Sequence, residues 1–194
     1  MRVFIGGDTA RSLNRWAADR LEPTEVAGPK PDERPSAVGV SLAWDAIRRT
    51  GLSHARLNTL KEHPLDLLVA DSRARLRLKG VTCSSQAAPL PAGWFRRLPG
   101  DSEHDVLVAG PELCFLQAAA TKPLYDAILF GMEICGLYAE DDLTAAGFTS
   151  RDEPLTTPVL IHAFLDASPG VRGLRAARRA LRYVASMSAS PMES

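Results

Sequence analysis

The chain has 194 residues, of which 45% are apolar and 24% are charged, so it is long enough to bury an ordinary core. Lysine and arginine together number 23, as do aspartate and glutamate, so net charge favours neither a polyanionic nor a polycationic partner. No apolar run approaches the ~18 residues that a membrane helix needs, which predicts no membrane partner. Three scattered cysteines, Cys83, Cys114 and Cys135, are not typical of a disulfide framework and favour a reducing, cytoplasmic location.

The N-terminal part of the chain predicts one strand and three helices. An apolar strand at residues 2–5 precedes a Gly-Gly turn, and Asp8 can cap a helix that extends to about Arg20. Residues 22–36 contain four prolines and predict a loop. The segment SLAWDAIRRTG predicts a helix that ends at its glycine, and residues 53–61 predict another.

Short apolar or alternating segments, typical of strands, follow in the middle of the chain. They are LDLLVA (65–70), ARLRLKGVTCSS (74–85), WFRRL (94–98) and HDVLVAG (104–110). Because the connections are short, we expect a central, mostly antiparallel sheet of about four to five strands. Helical periodicity then returns at 111–121, 123–139, 158–167 and 171–185. This grouping predicts the α+β class, with a mixed α/β layer as the alternative.

The same patterns predict three segments along the chain. Residues 1–35 are a strand–helix unit with a proline-rich linker, and residues 36–185 form the α+β core with its C-terminal helices. Residues 186–194 are a linker that ends in Ser190-Pro191-Met192-Glu193, a capping-box signal for a new helix. We therefore interpret the end of the chain as a domain boundary before a helix that is missing.

Motifs for catalysis are incomplete in this sequence. Nucleases of the restriction-enzyme fold carry Asp or Glu two residues before a lysine, and none of the four lysines has this neighbour. The Gly6-Gly7 turn lacks dinucleotide-binding spacing, and no Cys or His pair has zinc-ligand spacing. We predict no catalytic residue, no metal and no cofactor.

Two similar phrases, ELCFL and EICGL, each place a glutamate two residues before a cysteine on a predicted helix. A metal or thiol site built from Glu112, Cys114, Glu133 and Cys135 is one interpretation. The other is that both cysteines are buried apolar fillers, and it is favoured because cysteine is among the most often buried residues.

Basic residues are concentrated in two places. The arginine cluster consists of Arg172, Arg175, Arg178, Arg179 and Arg182, which fall within about a third of the circumference of a helix. The basic segment consists of Arg73, Arg75, Arg77 and Lys79, which would all point one way on a strand.

Either group can bind a phosphate backbone, because each cation that contacts a phosphate releases condensed counterions. The alternative is a solvated face, or one that is neutralised by nearby carboxylates. The candidates for neutralisation are Glu140, Asp141, Asp142, Asp152 and Glu153.

The segments VAGPELCFLQAAA, GMEICGLYAEDD, RRALRYV and SASPMES resemble a group of bacterial proteins. In that group an AbiEi-like antitoxin or regulator segment precedes a small endonuclease domain related to the very-short-patch-repair enzymes. The resemblance covers mainly residues 105–194. It matches Glu193 to an acidic residue in the first helix of the nuclease domain, often counted as an auxiliary active-site carboxylate.

The resemblance implies a non-catalytic nucleic-acid-binding or antitoxin-like regulatory domain, the accessory half of an endonuclease-linked protein. Its partners would be DNA, a toxin or a nuclease domain. One alternative is a nuclease whose catalytic motif lies beyond Ser194 or on a partner subunit. Another is a protein–protein module that forms homodimers through the apolar helices at 111–139.

Overall fold

The structure is a computed structural model that describes residues 1–100 and 104–189. The chain divides into two compact units, Met1–Gly110 and Pro111–Ser194. This division differs from the predicted one after residue 35, because the first strands of the chain share a sheet with the later ones.

A six-stranded mixed sheet organises the N-terminal unit. Its strands are β1 (Arg2–Ile5), β2 (Glu22–Thr24), β3 (Leu65–Val69), β4 (Val81–Ser85), β5 (Phe95–Arg97) and β6 (Asp105–Ala109). They lie in the order β2-β5-β6-β1-β3-β4. Three neighbouring pairs are antiparallel, while β1–β6 and β3–β4 are parallel. The predicted α+β class is confirmed, with six strands in place of four to five.

The central strand β1 places its apolar residues in the core. Val3, Phe4 and Ile5 are buried, and the ring of Phe4 meets that of Phe95 edge-on with the centroids 5.1 Å apart. Strand β2 lies inside the segment predicted as a loop. Pro23 is tolerated there because β2 is an edge strand, where a missing N–H breaks no ladder.

Three helices accompany this sheet, and the sequence predicts all three, although the second begins at Ala37, four residues before the predicted segment SLAWDAIRRTG. They are α1 (Gly7–Ala17), α2 (Ala37–Arg49) and α3 (His54–Glu62). The side chains of Ser36 and Ser53 cap α2 and α3, accepting from Gly39 N and Arg56 N. Gly51 follows α2 with φ +74°, a left-handed conformation that glycine adopts without strain.

Helix α1 begins differently from the prediction, because Asp66 of β3 caps it in place of Asp8. Asp66 Oδ2 accepts from the backbone N–H groups of Asp8 (2.9 Å) and Thr9 (3.4 Å), and the Asp66 N–H donates to Thr9 Oγ1 (3.0 Å). Gly7 has φ +54°, and a Cβ added there would lie 2.8 Å from Asp66 Oδ2. Burial raises the pKa of Asp66 above its usual value, against the opposing effect of the Thr9 hydrogen bond.

The basic segment does not form the predicted cationic strand. Arg73 lies in a 3₁₀ turn (Ser72–Ala74), residues 75–78 are irregular, and Lys79-Gly80 is a turn that precedes β4. The reason is topological: β3 and β4 are parallel, so the chain between them must cross back to the start of β4. Asp71 starts this crossover by accepting from the Arg73 N–H at 2.9 Å.

The C-terminal unit is mainly helical. Its helices are α4 (Pro111–Thr121), α5 (Leu124–Cys135), α6 (Pro158–Asp166) and α7 (Leu174–Leu181). Strands β7 (Tyr138–Glu140) and β8 (Phe148–Ser150) form a hairpin that the sequence did not predict. Among the described residues, no helix has both the length and the apolar content needed to cross a bilayer.

Two of these helices are shorter than expected. Helix α5 stops at Cys135, before the predicted end at residue 139, and the residues after Gly136 enter the hairpin. Helix α7 covers only eight of the residues predicted at 171–185. The predicted helix start at Ser190–Glu193 lies outside the described residues.

Candidate nucleic-acid interface

The position of α7 depends on the glycine that precedes it. Gly173 is the N-cap of α7 and has φ +91°, and a Cβ added there would lie 2.5 Å from Ala120 Cβ of α4. A side chain at this position would therefore both strain the backbone and clash with α4. Gly173 thus lets α7 begin directly against the neighbouring helix.

Helix α7 packs through small residues and leaves its arginines in solvent. Ala177 and Ala180 are fully buried where α7 packs against α4, α5 and α6. All five members of the arginine cluster are exposed. The predicted clustering of these arginines on an exposed surface is therefore consistent with the structure.

Four members of the cluster line one open, shallow groove with a volume of about 630 Å³. Its walls are Gly170, Val171, Leu174, Arg175, Arg178, Arg179 and Arg182. Arg172 is exposed in the preceding loop but does not line the groove. The groove is therefore recessed between the arginine side chains and the loop that leads into α7.

Only one groove arginine has an acidic partner within the described part of the chain. Arg178 Nη2 donates to Asp166 Oδ1 at 2.8 Å, and the other carboxylate oxygen of Asp166 lies 3.0 Å from His162 Nδ1. The predicted neutralisation by the run from Glu140 to Glu153 does not occur there. Sequence reasoning missed Asp166 because it lies directly before the stretch without acids that begins at Ala167.

The basic segment belongs to the other unit and is likewise exposed. Arg73, Arg75, Arg77 and Lys79 are all in solvent. Arg75 Nη2 donates to Ser85 Oγ at 3.2 Å, which holds this side chain along β4. The N–H of Arg73 that donates to Asp71 lowers the pKa of that carboxyl, so Asp71 remains a charged neighbour of the segment. The four cations therefore follow an irregular connection and do not share one face.

The glutamates and cysteines of the two similar phrases do not form one site. Glu112 Oε1 accepts from Thr156 Oγ1 at 2.5 Å, whereas Glu133 Oε1 accepts from the Glu140 N–H at 3.1 Å. Among the described residues, no group of three Cys, His, Asp or Glu side chains could hold a metal ion. All three cysteines are free thiols, and Cys114 and Cys135 are buried.

Thiol chemistry at Cys135 is also disfavoured by its surroundings. Burial, together with the charge of Glu112, raises the pKa of the Cys135 thiol to about 12. The thiolate, which is the nucleophile and the metal ligand, is therefore scarce at neutral pH. The favoured interpretation of these cysteines as apolar fillers agrees with this environment.

The turn after β1 offers no open anion site. The backbone N–H groups of Asp8 and Thr9, which a phosphate would use at the start of α1, already donate to Asp66 Oδ2. This leaves the groove of α7 as the described surface with the best chemistry for an anion.

Comparisons of the chain with protein-family models, with curated proteins and with solved structures find no match. The AbiEi-like resemblance therefore stays a prediction.

Proposed function

We propose that this chain is a non-catalytic domain that binds the sugar-phosphate backbone of nucleic acid through the groove of α7. The observation that carries the proposal is the set of four arginines around one recess. Arg175, Arg179 and Arg182 have no acidic partner within the described ranges, and Arg178 has one. Uncompensated guanidinium groups repel each other, and a polyanion relieves that repulsion while it accepts their paired N–H donors.

The basic segment is a second, separate contact in this proposal. Its four cations lie on a connection in solvent and can approach phosphates without a change in the sheet. Because they follow an irregular path, each would contribute as an independent charge. This contact is subordinate to the groove, whose arginines are held on one helix face.

The test is a binding titration in which two groove arginines are reversed in charge. Fluorescence anisotropy with labelled 20-mer DNA is measured from 25 to 200 mM KCl for the wild type and for Arg175→Glu with Arg179→Glu. Two lost phosphate contacts reduce the slope of log K against log salt by about 1.4 to 1.8, since each contact contributes about 0.7 to 0.9. The affinity at low salt falls at the same time.

A matched control separates this effect from the loss of overall charge. Arg20→Glu with Arg49→Glu changes the net charge equally at two exposed arginines of the N-terminal unit. We expect the slope of this control to equal that of the wild type. Absence of binding by the wild type at low salt and micromolar protein, or equal losses in both double variants, would refute the proposal.

An antitoxin-like role with a protein partner is the second candidate, and exposed apolar residues on α6 favour it. Val159 is 76% exposed and Leu160 is 48% exposed, next to each other near the start of the helix. Helix α4, part of the predicted dimer surface, is mostly buried and packs on α5, α6 and α7. The exposed apolar residues of α6 are then a candidate surface for a homodimer, and light scattering that shows a monomer up to high micromolar concentration would exclude the homodimer.

A further inference from the structure

An exposed tyrosine follows the last arginine of the groove. The side chain of Tyr183 is 61% exposed, and no described residue contacts its ring as an aromatic or cationic partner. Tyrosine buries a large apolar surface when it can, so a ring left in solvent beside four arginines has contact area to offer a ligand.

The backbone keeps Tyr183 in register with the arginines of α7. Arg182 retains helical dihedral angles (φ −61°, ψ −20°), and the Tyr183 N–H donates to Ala180 O at 3.0 Å. On a continued α-helix Tyr183, four residues after Arg179 and eight after Arg175, would lie about 40° and 80° from them around the axis, although α7 itself ends at Leu181. Tyr183 does not itself line the groove, but it directly follows Arg182, the last arginine that does.

We propose that the preferred ligand of this groove is single-stranded nucleic acid, with an unpaired base stacked on Tyr183 while the arginines hold the adjoining phosphates. This inference rests on the proposed function and names the substrate class of the same site. Binding modules for single strands combine a cationic groove with aromatic rings, because every unpaired base has a face that can stack.

The dimensions of the groove fit one strand. From Arg175 to Arg182 the helix rises by about 10 Å, enough to contact only a few successive phosphates, so a single strand suffices to engage the groove. In a duplex, moreover, the bases are already stacked on each other, so Tyr183 would gain no base contact.

The experiment compares two ligands and three tyrosine variants at a fixed salt concentration. The ligands are labelled oligothymidylate of 20 nucleotides and a 20-base-pair duplex. The variants are Tyr183→Ala, Tyr183→Phe and, as the matched control, Tyr125→Ala, which removes a tyrosine that is 68% exposed on α5 of the same unit.

We expect the wild type to bind the single strand more tightly than the duplex. Tyr183→Ala should weaken single-strand binding by about 5- to 150-fold, which corresponds to the ~1–3 kcal/mol that base–aromatic stacking contributes. Duplex binding should be nearly unchanged. Tyr183→Phe should retain the wild-type affinity because stacking needs the ring and not the hydroxyl, and Tyr125→Ala should match the wild type.

Each failure has a distinct meaning. If neither ligand binds, the proposed function fails and this inference fails with it. If both ligands bind equally, or if Tyr183→Ala and Tyr125→Ala behave alike, the single-strand inference is overturned while backbone binding by the arginines stands. Tighter binding of the duplex also overturns it. Since Tyr183 lies in solvent, circular dichroism of each variant should match that of the wild type.

Discussion

Removal of one buried hydroxyl, in Thr156→Val, should destabilise the C-terminal unit without creating a cavity. Thr156 Oγ1 donates to Glu112 Oε1 at 2.5 Å, and both residues are only 3% exposed. The second carboxylate oxygen, Glu112 Oε2, is buried without a hydrogen-bond partner among the described residues. The hydroxyl is therefore a main source of stabilisation for a charge that is shielded from water.

The expected loss of unfolding free energy follows from the buried carboxylate that Thr156→Val leaves without its hydrogen-bond donor. Valine has nearly the shape of threonine, so no packing volume is lost, but the carboxylate loses its donor. Hydrogen bonds to charged groups contribute about 1.5–3 kcal/mol, and a buried acceptor left unsatisfied costs a similar amount. We expect the free energy of unfolding to fall by about 2–3 kcal/mol, which lowers Tm by roughly 5–10 °C for a chain of this size.

Urea unfolding followed by circular dichroism measures this change. Thr59→Val is the matched control, because Thr59 is a partly exposed threonine whose hydroxyl donates only to Ala55 O within α3 (3.2 Å). Its effect should stay within about 0.5 kcal/mol. In a Glu112→Gln background, Thr156→Val should lower the free energy of unfolding by less, because a buried neutral amide without a hydrogen-bond donor is less unfavourable than a buried carboxylate without one. The reasoning would be refuted if Thr156→Val lowered the free energy of unfolding equally in the wild-type and Glu112→Gln backgrounds, or by no more than Thr59→Val does.

Two further predictions concern titratable groups. Burial raises the pKa of Asp66 above 3.8, so folding favours its protonated carboxyl group; this contribution to stability is full below that pH and is lost as pH rises through the folded-state pKa. In urea titrations from pH 3.5 to 7, Asp66→Asn should lack this decline, and parallel pH profiles for the variant and the wild type would contradict the prediction. In the native state Cys83, which is partly exposed, should react with a thiol reagent at pH 8 long before Cys135, whose thiol pKa is about 12. Mass spectrometry of the labelled peptides identifies the order in which the two cysteines react, and labelling of Cys135 as early as Cys83 would contradict the prediction.

Local signals predicted that the helices exist because they depend on neighbours in sequence, but they misplaced the start of α2 and the ends of α5 and α7. The serine caps of α2 and α3 and the glycine after α2 are all within a few residues of the helix ends that they define. The division of α7 into buried alanines and exposed arginines likewise follows from helical periodicity alone.

The features that the sequence did not predict depend on residues far apart in the chain. Asp66 caps α1 from 57 residues beyond Thr9, and no local pattern marks it as a cap. The alternation in residues 73–79 predicted a strand, but the parallel pairing of β3 with β4 turned that segment into a crossover. Strand pairing sets the geometry in both cases, and the order of strands in a sheet is not encoded in any short segment.

The place of β1 in the sheet has a consequence for synthesis of the protein. This strand precedes the other described strands of the sheet in the chain, and its parallel neighbour β6 pairs Asp105 with Arg2, about a hundred residues later. At about 5–20 residues per second, the ribosome needs roughly 5–20 seconds to deliver that partner. During this interval the apolar residues Val3, Phe4 and Ile5 lack their final neighbours on one side. The sheet of the N-terminal unit therefore cannot be completed until β6 has been made.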